Sequence, residues 1–350
     1  ANLVRVRLWN DARWTRYSNL ADVKKTIGRA RAAGMQVLLD FHYSDDWADG
    51  DKQVIPKAWV GIKDVDRLAA ALYDFTFRTL RELDAAGLMP EMVQVGNETN
   101  GAILSTLEKA KEPIEWGRNA KLFNAGIKAV RDAGARSTIK PRVMLHIAQP
   151  ENVEPWFAAA AKAGVTDFDL IGVSYYRKWS SQNLAGLGAA INRLRHRYAA
   201  DVLLVEAAYP WTLENADSSG NILGEDSLIT EYPATLLGQR RYLLDLSQLV
   251  IANGGVGVVY WEPAWIASRC KTRWGTGSGW DNATLFDFKG EMLPGADYLS
   301  FPYVHPVTVE FRGVPSGSFL WGDFLGEDME PVRVSGETFR TRLMPGARLR

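Results

Sequence analysis

The sequence contains little cysteine and little histidine. Its 350 residues include one cysteine, Cys270, and four histidines, at positions 42, 146, 196 and 305. A single cysteine excludes an internal disulfide framework and any zinc site built from cysteines. The scattered histidines form no HExxH motif, which excludes a zinc-protease helix. We therefore expect neither a disulfide-stabilised fold nor a zinc site of the cysteine or HExxH type.

An excess of charge and a long apolar segment are also missing. Lys and Arg together number 41, as do Asp and Glu, so the formal net charge is zero. Nucleic-acid-binding domains usually carry a basic excess or stripe, so we expect no nucleic-acid partner. No run of about 18 apolar residues occurs, so we expect no membrane-spanning helix. The opening stretch ANLVRVRLWN has neither the apolar core nor the cleavage site of a signal peptide.

Tryptophan and tyrosine are abundant, with 13 and 12 residues respectively. Packing in the core would account for many of them. Several tryptophans, however, fall in expected loops or near expected strand ends: Trp9, Trp47, Trp59, Trp179, Trp211, Trp261, Trp265 and Trp280. Flat sugar rings present apolar C–H faces that stack on aromatic rings, so this placement favours carbohydrate binding.

One pattern recurs along the chain: an amphipathic helix, a glycine, and then a short apolar run such as MQVLLDF. The glycines of this pattern are predicted to follow helix C-termini, and they are Gly34, Gly87, Gly134, Gly164 and Gly254. Apolar runs of this kind are typical of parallel strands buried on both faces. One helix carries its apolar residues at helical spacing, at Val65, Leu68, Leu72, Phe75 and Leu83. Strands alternating with helices predict an α/β fold.

Seven strands are predicted, near residues 3–9, 35–41, 92–96, 142–147, 168–175, 202–206 and 256–261. A (β/α)8 TIM barrel has eight, so residues 1–298 are interpreted as a barrel that lacks its first β/α unit. The alternative is an open, doubly wound sheet. The barrel is favoured because polar residues cluster after nearly all of the strands. Residues 299–350 contain short alternating runs with Gly and Pro turns, which predict a partial β-sandwich-like segment.

Two glutamates follow apolar strands in equivalent positions. Glu98 comes after MVQVG, and Glu206 comes at the end of DVLLVE. Each alone has an ordinary explanation: Glu98 would suit the first turn of a helix beginning after Asn100, and Glu206 would simply end a buried strand. Together they lie at one barrel mouth, where barrel enzymes keep their active sites. Paired carboxylates are the groups that cleave glycosidic bonds.

Longer segments carry a family resemblance. The segments GMQVLLDFHYSDDWADGDKQVIPKAW, VQVGNETNG, LLVEAAYPW and GVGVVYWEPAW, with NLVRVRLWND, closely resemble glycoside hydrolase family 53, the arabinogalactan endo-β-1,4-galactanases, over residues 1–298. The resemblance implies a retaining double displacement on β-1,4-galactan. It implies that Glu98 is the general acid/base, that Glu206 is the nucleophile, and that Asn97 contacts the sugar 2-hydroxyl.

Further residues are expected to bind substrate or support the acids. Strand parity places Arg5, Arg7 and Trp9 on one face, and Arg7, the arginine nearer the mouth, is expected to keep Glu206 ionised. By resemblance, Tyr176 would hydrogen-bond the nucleophile and Trp261 would lie beneath the reactive sugar. The other candidates for substrate binding are His42, Asp45, Trp47, Asn100 and His146.

Some members of the resembled family bind calcium in the loop after the nucleophile strand. Here that loop reads ENADSSGNILGED, and Asn215, Asp217 and Asn221 could supply the oxygen ligands that calcium prefers. A loop simply rich in turn residues is the alternative. No cofactor is otherwise expected.

Two rival functions remain open. One is a related retaining endo-glycanase acting on mannan, xylan or cellulose, and the other is a non-catalytic carbohydrate-binding barrel. Polymer-degrading enzymes usually act outside the cytoplasm, so we expect a secreted or periplasmic monomer.

Overall fold

The structure is a computed structural model that describes every residue except 111, 270, 274, 311–314, 316–318, 321, 325–326, 329–331, 334–337, 344–347 and 350. The side chains of several residues in the C-terminal strands are likewise undescribed. Cys270 therefore lies outside the described residues.

Seven parallel strands form one sheet in sequence order, each paired with its neighbours along the chain. They are β1 (Leu3–Leu8), β2 (Gln36–Phe41), β3 (Met92–Val95), β4 (Arg142–Ala148), β5 (Leu170–Ser174), β6 (Asp201–Ala207) and β7 (Val258–Tyr260). The edge strands β1 and β7 approach each other, so the sheet curls into a nearly closed barrel. This confirms the predicted α/β barrel with seven strands and excludes the open, doubly wound sheet.

Within the described residues, seven α-helices accompany the strands: α1 (Leu20–Ala32), α2 (Val65–Ala85), α3 (Leu107–Ala110), α4 (Trp116–Ala135), α5 (Pro150–Lys162), α6 (Leu184–Arg197) and α7 (Leu236–Ala252). Short 3-10 helices occupy Lys57–Trp59, Glu225–Ser227, Asp281–Ala283 and Pro294–Leu299. Side chains of Asn19, Asp64, Asn183 and Thr235 cap α1, α2, α6 and α7 by accepting a backbone N–H of the first turn. None of the described helices is long and apolar enough to cross a membrane.

Four of the five glycines predicted after helices have the expected left-handed backbone, with φ of +70° to +86°. They are Gly34, Gly87, Gly164 and Gly254. The prediction for Gly134 is wrong, because α4 continues to Ala135. A Cβ on Gly134 would lie 2.9 Å from the Pro141 side chain, so the close approach of the following turn explains the glycine instead.

The predicted stripe on α2 packs against the barrel, with Leu68, Leu72 and Leu83 buried. Helix α4 lies alongside α2, and Gly126 of α4 closely approaches Leu72 of α2. A Cβ there would lie 2.6 Å from Val95 and 3.0 Å from Leu72. Helix α4 is thus packed so closely at Gly126 that even a methyl group would overlap its neighbours.

No helix starts directly after Asn100, contrary to the expectation, because the next helix begins only at Leu107. The chain after β3 runs through bends and turns to α3, and Glu98 adopts a left-handed φ of +43°. The helix-dipole explanation for Glu98 is therefore wrong.

Beyond β7, a small hairpin joins β8 (Lys271–Thr272) to β9 (Gly275–Thr276). The C-terminal segment contains further short strands: β10 (His305–Glu310), β11 (Phe319–Leu320), β12 (Gly322–Phe324), β13 (Glu327–Asp328), β14 (Val332–Arg333), β15 (Thr338–Leu343) and β16 (Arg348–Leu349). Strand β10 pairs with β15 in antiparallel register. Antiparallel pairing agrees with the alternating sequence pattern of this segment.

Candidate active site

A cleft of about 1550 Å³ opens at the C-terminal ends of the barrel strands. Glu98, which follows β3, and Glu206, near the end of β6, both line it. Predicted substrate-binding residues that also line it are Trp47, Asn97, Asn100, Tyr176 and Trp261. The fold thus brings into one cleft two acids that are 108 residues apart in the sequence (206 − 98).

The two carboxyl groups are close. One carboxylate oxygen of Glu98, one of Glu206 and a ring nitrogen of His146 all lie within 4.8 Å of one another. Retaining glycosidases hold their carboxyl groups about 5–5.5 Å apart, whereas inverting enzymes need about 6.5–9.5 Å to admit a water. The measured proximity fits direct attack by one carboxylate.

Glu206 is buried and held by two hydrogen-bond donors. Nη1 of Arg5 lies 2.6 Å from Oε1 of Glu206, and the Tyr176 hydroxyl donates to Oε2 at 3.0 Å. Burial raises the pKa of Glu206, and the charge and hydrogen bond of Arg5 oppose that rise. The net pKa of Glu206 is still above its usual value, but the two donors favour the ionised form and fix the orientation of the carboxylate, as a nucleophile requires.

The arginine that pairs with Glu206 is Arg5 and not Arg7, so that part of the prediction is wrong. The alternation of side chains along β1 correctly predicted that both arginines face the barrel interior. It does not show how far each guanidinium group extends. Arg5 extends across the interior to Gln94 and Asp40 as well. Arg7 lies 3.8 Å over the Trp47 ring, and its nearest carboxylate is that of Glu262, at 3.7 Å.

Glu98 has the opposite electrostatic environment. Burial of the carboxyl group and the nearby charge of Glu206 raise the pKa of Glu98 to about 8. Its neighbour Asn97 is occupied with Arg5, to which it offers Oδ1 at 2.5 Å. Glu98 thus keeps its proton near neutral pH, whereas Arg5 and Tyr176 favour the charged form of Glu206, which is the division of roles expected of an acid and a nucleophile.

Beneath the acids lies a buried polar layer that includes Asp40 and His42. Nε2 of His42 lies 3.0 Å from Oδ2 of Asp40, while the His42 Nδ1 accepts the Ala48 N–H. Burial alone would raise the pKa of Asp40, but Arg5 and His42 outweigh it and lower the value to about 2. His42 is absent from the cleft lining. It positions Asp40 instead of binding sugar, contrary to its predicted role.

His146 is likewise fully buried and not part of the lining. Its Nδ1 accepts the backbone N–H of Glu98 at 3.2 Å, and its Nε2 lies 2.8 Å from the Ser174 hydroxyl. Burial and the nearby Arg5 charge lower the pKa of His146 well below its usual value, so the ring is neutral. Its role in this structure is to hold the Glu98 backbone, which corrects the expectation of a direct sugar contact.

Three further predicted residues also lie outside the lining. Trp9 is buried and packs against Trp47, with ring centroids 5.4 Å apart. Asp45 joins two loops, because its carboxylate accepts the backbone N–H groups of Asp11 and Lys57. Arg7, described above, is the third. These side chains contact residues of the loops at the mouth, and their predicted contacts with sugar remain predictions.

Sequence reasoning missed several residues of the site. Gln94 is a polar residue within the apolar strand MVQV, and it hydrogen-bonds Asp40 and Arg5; its polarity was an available signal. Gln149 also lines the cleft, but no local sequence pattern marks it. Its left-handed backbone φ depends on the tertiary structure and cannot be predicted from the sequence. The tryptophans at 116 and 156 also line the cleft, although they belong to helices.

Comparisons with known proteins agree with this geometry. Residues 1–299 match the model described as "Glycosyl hydrolase family 53". The chain is 52% identical, over 87% of its length and 81% of the relative, to a Cellvibrio japonicus protein named "Arabinogalactan endo-beta-1,4-galactanase". It is 34% identical to the "Endo-beta-1,4-galactanase" of Bacillus subtilis, over 86% of this chain and 76% of that protein.

Solved structures give the same result. The "Ignisphaera aggregans GH53 catalytic domain" has a TM-score of 0.77 at 30% identity, covering 86% of this chain and 85% of that one. Xylanase B from Clostridium stercorarium has a TM-score of 0.53 at 14% identity, over 85% of this chain and 89% of that one, and shows the shared fold alone.

The fold and the paired acids define a glycoside hydrolase built on a TIM barrel. The chain belongs to glycosyl hydrolase family 53. Members of this family generally need no cofactor.

Proposed function

We propose that this protein is a retaining endo-β-1,4-galactanase that cleaves galactan and type I arabinogalactan by double displacement. The proposal is carried by one observation, the Glu98–Glu206 pair within 4.8 Å at the centre of an open cleft. Relatives named as galactanases, matched over most of the chain, support the substrate.

The first step forms a covalent intermediate. A carboxylate oxygen of Glu206 attacks the anomeric carbon, and the bond from that carbon to the leaving oxygen breaks. Glu98 gives its proton to the leaving oxygen, which departs as a free hydroxyl of the released chain. Arg5 and Tyr176 hold Glu206 along the direction of attack. The raised pKa of Glu98 keeps the required proton in place at neutral pH.

The second step releases the sugar. Glu206 is now an ester without charge, so the electrostatic cause that raised the pKa of Glu98 is removed. Glu98 takes a proton from water, and the water oxygen attacks the anomeric carbon and displaces Glu206. Two inversions at that carbon give net retention.

Aromatic rings suit the cleft to a polysaccharide. On one side of the cleft, the ring centroids of Trp261 and Trp47 lie 5.7 Å apart. On another side, Trp179, which is 47% exposed, packs against Tyr176. Sugar faces stack on such rings. An open cleft with aromatic surfaces on both sides of the acids favours attack within a chain rather than at its end.

The direct test compares polymers. Purified protein is incubated with β-1,4-galactan, mannan, xylan and cellulose, and reducing ends and viscosity are followed. We expect galactan alone to lose viscosity rapidly while few reducing ends form. Hydrolysis of mannan, xylan or cellulose with galactan left intact would establish the rival endo-glycanase instead.

The non-catalytic rival is tested with Glu98→Gln. This variant keeps the shape of the side chain and removes its ionisable proton. We expect galactan hydrolysis to fall by about 10²–10⁴-fold, with the melting temperature preserved or raised. A wild type that binds galactan but does not hydrolyse it would support the binding-barrel function.

The loop with Asn215, Asp217 and Asn221 is largely satisfied by its own hydrogen bonds. The Asp217 carboxylate accepts the N–H groups of Ser219 and Ser278, and Asn215 accepts that of Asp217. Buried Oδ1 atoms of Asn221 and Asp281, however, have no hydrogen-bond partner in the described part of the chain. Such oxygens suit calcium. We therefore include calcium as a structural ligand whose binding would raise the melting temperature of wild type but not of Asp217→Ala.

The remaining parts of the proposal concern the whole protein. Polysaccharide is a substrate that cannot cross a membrane intact, so we place the enzyme in the periplasm or outside the cell, as a monomer. We assign residues 1–298 to the catalytic barrel and 299–350 to a separate β segment. Cell fractionation and light scattering test the first two assignments.

A further inference from the structure

The order of the strands divides the cleft into two sides. Glu98 follows β3 and Glu206 lies on β6, so β4 and β5 lie between the acids on one side. Strands β7, β1 and β2 lie on the other, with Trp261 and Trp47 beside them. If the sugar that is attacked rests on the Trp261 side, the leaving part of the chain must lie over β4 and β5.

Gln149 occupies the β4–β5 side in a strained conformation. It joins β4 to α5 with φ of +65° and ψ of +130°, a combination that glycine tolerates and other residues rarely adopt. Strain of this kind costs about 1–3 kcal/mol and clusters where a side chain has a function. A glycine here would relieve the strain, so a glutamine at this position points to a function of its side chain.

The Gln149 side chain has a free donor. Its Oε1 accepts the backbone N–H of Tyr176 at 3.5 Å, which orients the amide. Its Nε2 has no hydrogen-bond partner among the described residues. This atom is not fully buried, so it remains accessible to a ligand. The residue is only 8% exposed and lines the cleft, so the accessible part of the amide faces the substrate space. An amide N–H₂ offers two hydrogen bonds to sugar hydroxyls.

An aromatic surface continues from Gln149 along the same side. Trp116 and Trp156 pack edge to face, with centroids 5.3 Å apart, and both line the cleft together with Asn152 and Pro155; Trp156 is largely buried, so Trp116 supplies most of the exposed ring area. A polar group beside the acids followed by an aromatic surface is the arrangement that orients one sugar by hydrogen bonds and supports later ones by stacking.

We propose that Gln149 binds the sugar on the leaving-group side of the scissile bond, donating from Nε2 to one of its hydroxyls, and that Trp116 and Trp156 support the chain beyond it. This proposal rests on the proposed galactanase function and specifies how that site recognises its substrate. The same contacts would hold an incoming sugar acceptor during transfer from Glu206.

Gln149→Gly is the informative variant because it removes the side chain and the strain together, so folding should be preserved. Ser18→Gly is the matched control. Ser18 also has a left-handed φ, +54°, but lies outside the cleft lining. Two substrates are compared, a β-1,4-galacto-oligosaccharide and a nitrophenyl β-galactobioside, in which nitrophenolate replaces the leaving sugar.

For Gln149→Gly we expect kcat/KM on the oligosaccharide to fall about five- to ten-fold, as for loss of one hydrogen bond. Hydrolysis of the nitrophenyl substrate should change by less than about twofold, and transfer to added galactobiose should decline. Ser18→Gly should match wild type on both substrates.

Two results would overturn the proposal. An equal loss on both substrates would mean that Gln149 acts through Tyr176 on the whole site, and no loss on either would mean that it does not contact sugar. A wild type that cleaves only another polymer's oligosaccharides would contradict the galactanase function. The Gln149 assignment would then be tested on an oligosaccharide and a nitrophenyl glycoside of that polymer. Gln149→Gly should again lower kcat/KM on the oligosaccharide more than on the nitrophenyl substrate.

Discussion

At the scale of single residues, position along a strand correctly predicted that Glu98 and Glu206 lie at one mouth, but it did not predict their partners. Glu98 and Glu206 were predictable because each follows an apolar strand and the ends of parallel strands meet at one mouth. The pairing of Glu206 with Arg5 was not, because parity gives the face of a side chain and not its reach. The left-handed φ of Gln149 was equally inaccessible, since it depends on how β4 meets α5.

The raised pKa of Glu98 predicts a cost in stability. The folded protein keeps the Glu98 proton up to about pH 8, whereas the unfolded chain loses it near the ordinary value of 4.5. Below about pH 4.5 Glu98 is protonated in both states and does not lower the free energy of unfolding. As the pH rises towards 8, the unfolded chain is favoured because only it loses the proton easily, so the free energy of unfolding falls. Glu98→Gln should melt higher than wild type at pH 8, by at least about 2 °C.

The measurement is calorimetry of both proteins from pH 5 to pH 8. The difference in melting temperature should shrink towards pH 5, where the protonated Glu98 and glutamine are electrostatically alike. A difference that is constant with pH would contradict the assignment of a raised pKa to Glu98.

Arg5 and Arg7 can be distinguished by substitution with lysine. Arg5 donates to Gln94, Glu206, Asp40 and Asn97, and a lysine cannot reproduce that planar set of hydrogen bonds. Arg5→Lys should lower kcat/KM at least about tenfold and move the acidic limb of the pH profile upward, because the pKa of Glu206 would rise.

Arg7→Lys is the matched control, measured by the same pH–rate profiles. Arg7 contacts Glu262 and the Trp47 ring, so its substitution should leave the acidic limb in place. If Arg7→Lys moved that limb and Arg5→Lys did not, the original assignment of Arg7 would be restored.

At the scale of elements, the strands were predictable to within a few residues, because a strand buried on both faces is an apolar run bounded by turn residues. The segment after β3 was misread, since its polar residues suit a helix start equally well. Its actual course is set by tertiary contacts: Asn100 donates from Nδ2 to the Ala148 carbonyl and accepts the Ala148 N–H at Oδ1. Such contacts between distant residues leave no local pattern.

The close packing of α4 predicts opposite effects for two helical glycines. Gly126→Ala should destabilise the protein by about 1–3 kcal/mol, because its Cβ would overlap Val95 and Leu72. Gly28→Ala, in α1, meets no atom within 4 Å and should stabilise by about 0.5–1 kcal/mol through helix propensity. Urea denaturation of both variants measures these changes. Equal effects would show that α4 is packed less closely than described.

At the scale of the molecule, the barrel explains how a chain poor in histidine and cysteine performs hydrolysis. Parallel strands place two carboxyl groups at one mouth, where burial and the Glu206 charge favour the protonated form of Glu98, while Arg5 and Tyr176 favour the charged form of Glu206. The overall architecture followed from the repeated helix–glycine–strand pattern. Substrate identity did not follow from composition or spacing, because the aromatic cleft alone suits several polysaccharides, and the family match was needed to select among them.

The central claim is retaining cleavage of β-1,4-galactan by the Glu98–Glu206 pair. Proton NMR of the first products formed from β-1,4-galactan tests it most directly, because the anomeric signals are read before mutarotation. The proposed mechanism predicts that β-anomeric reducing ends appear first and that α signals grow later. Initial appearance of the α anomer would mean a single displacement and would contradict the assignment of Glu206 as the nucleophile.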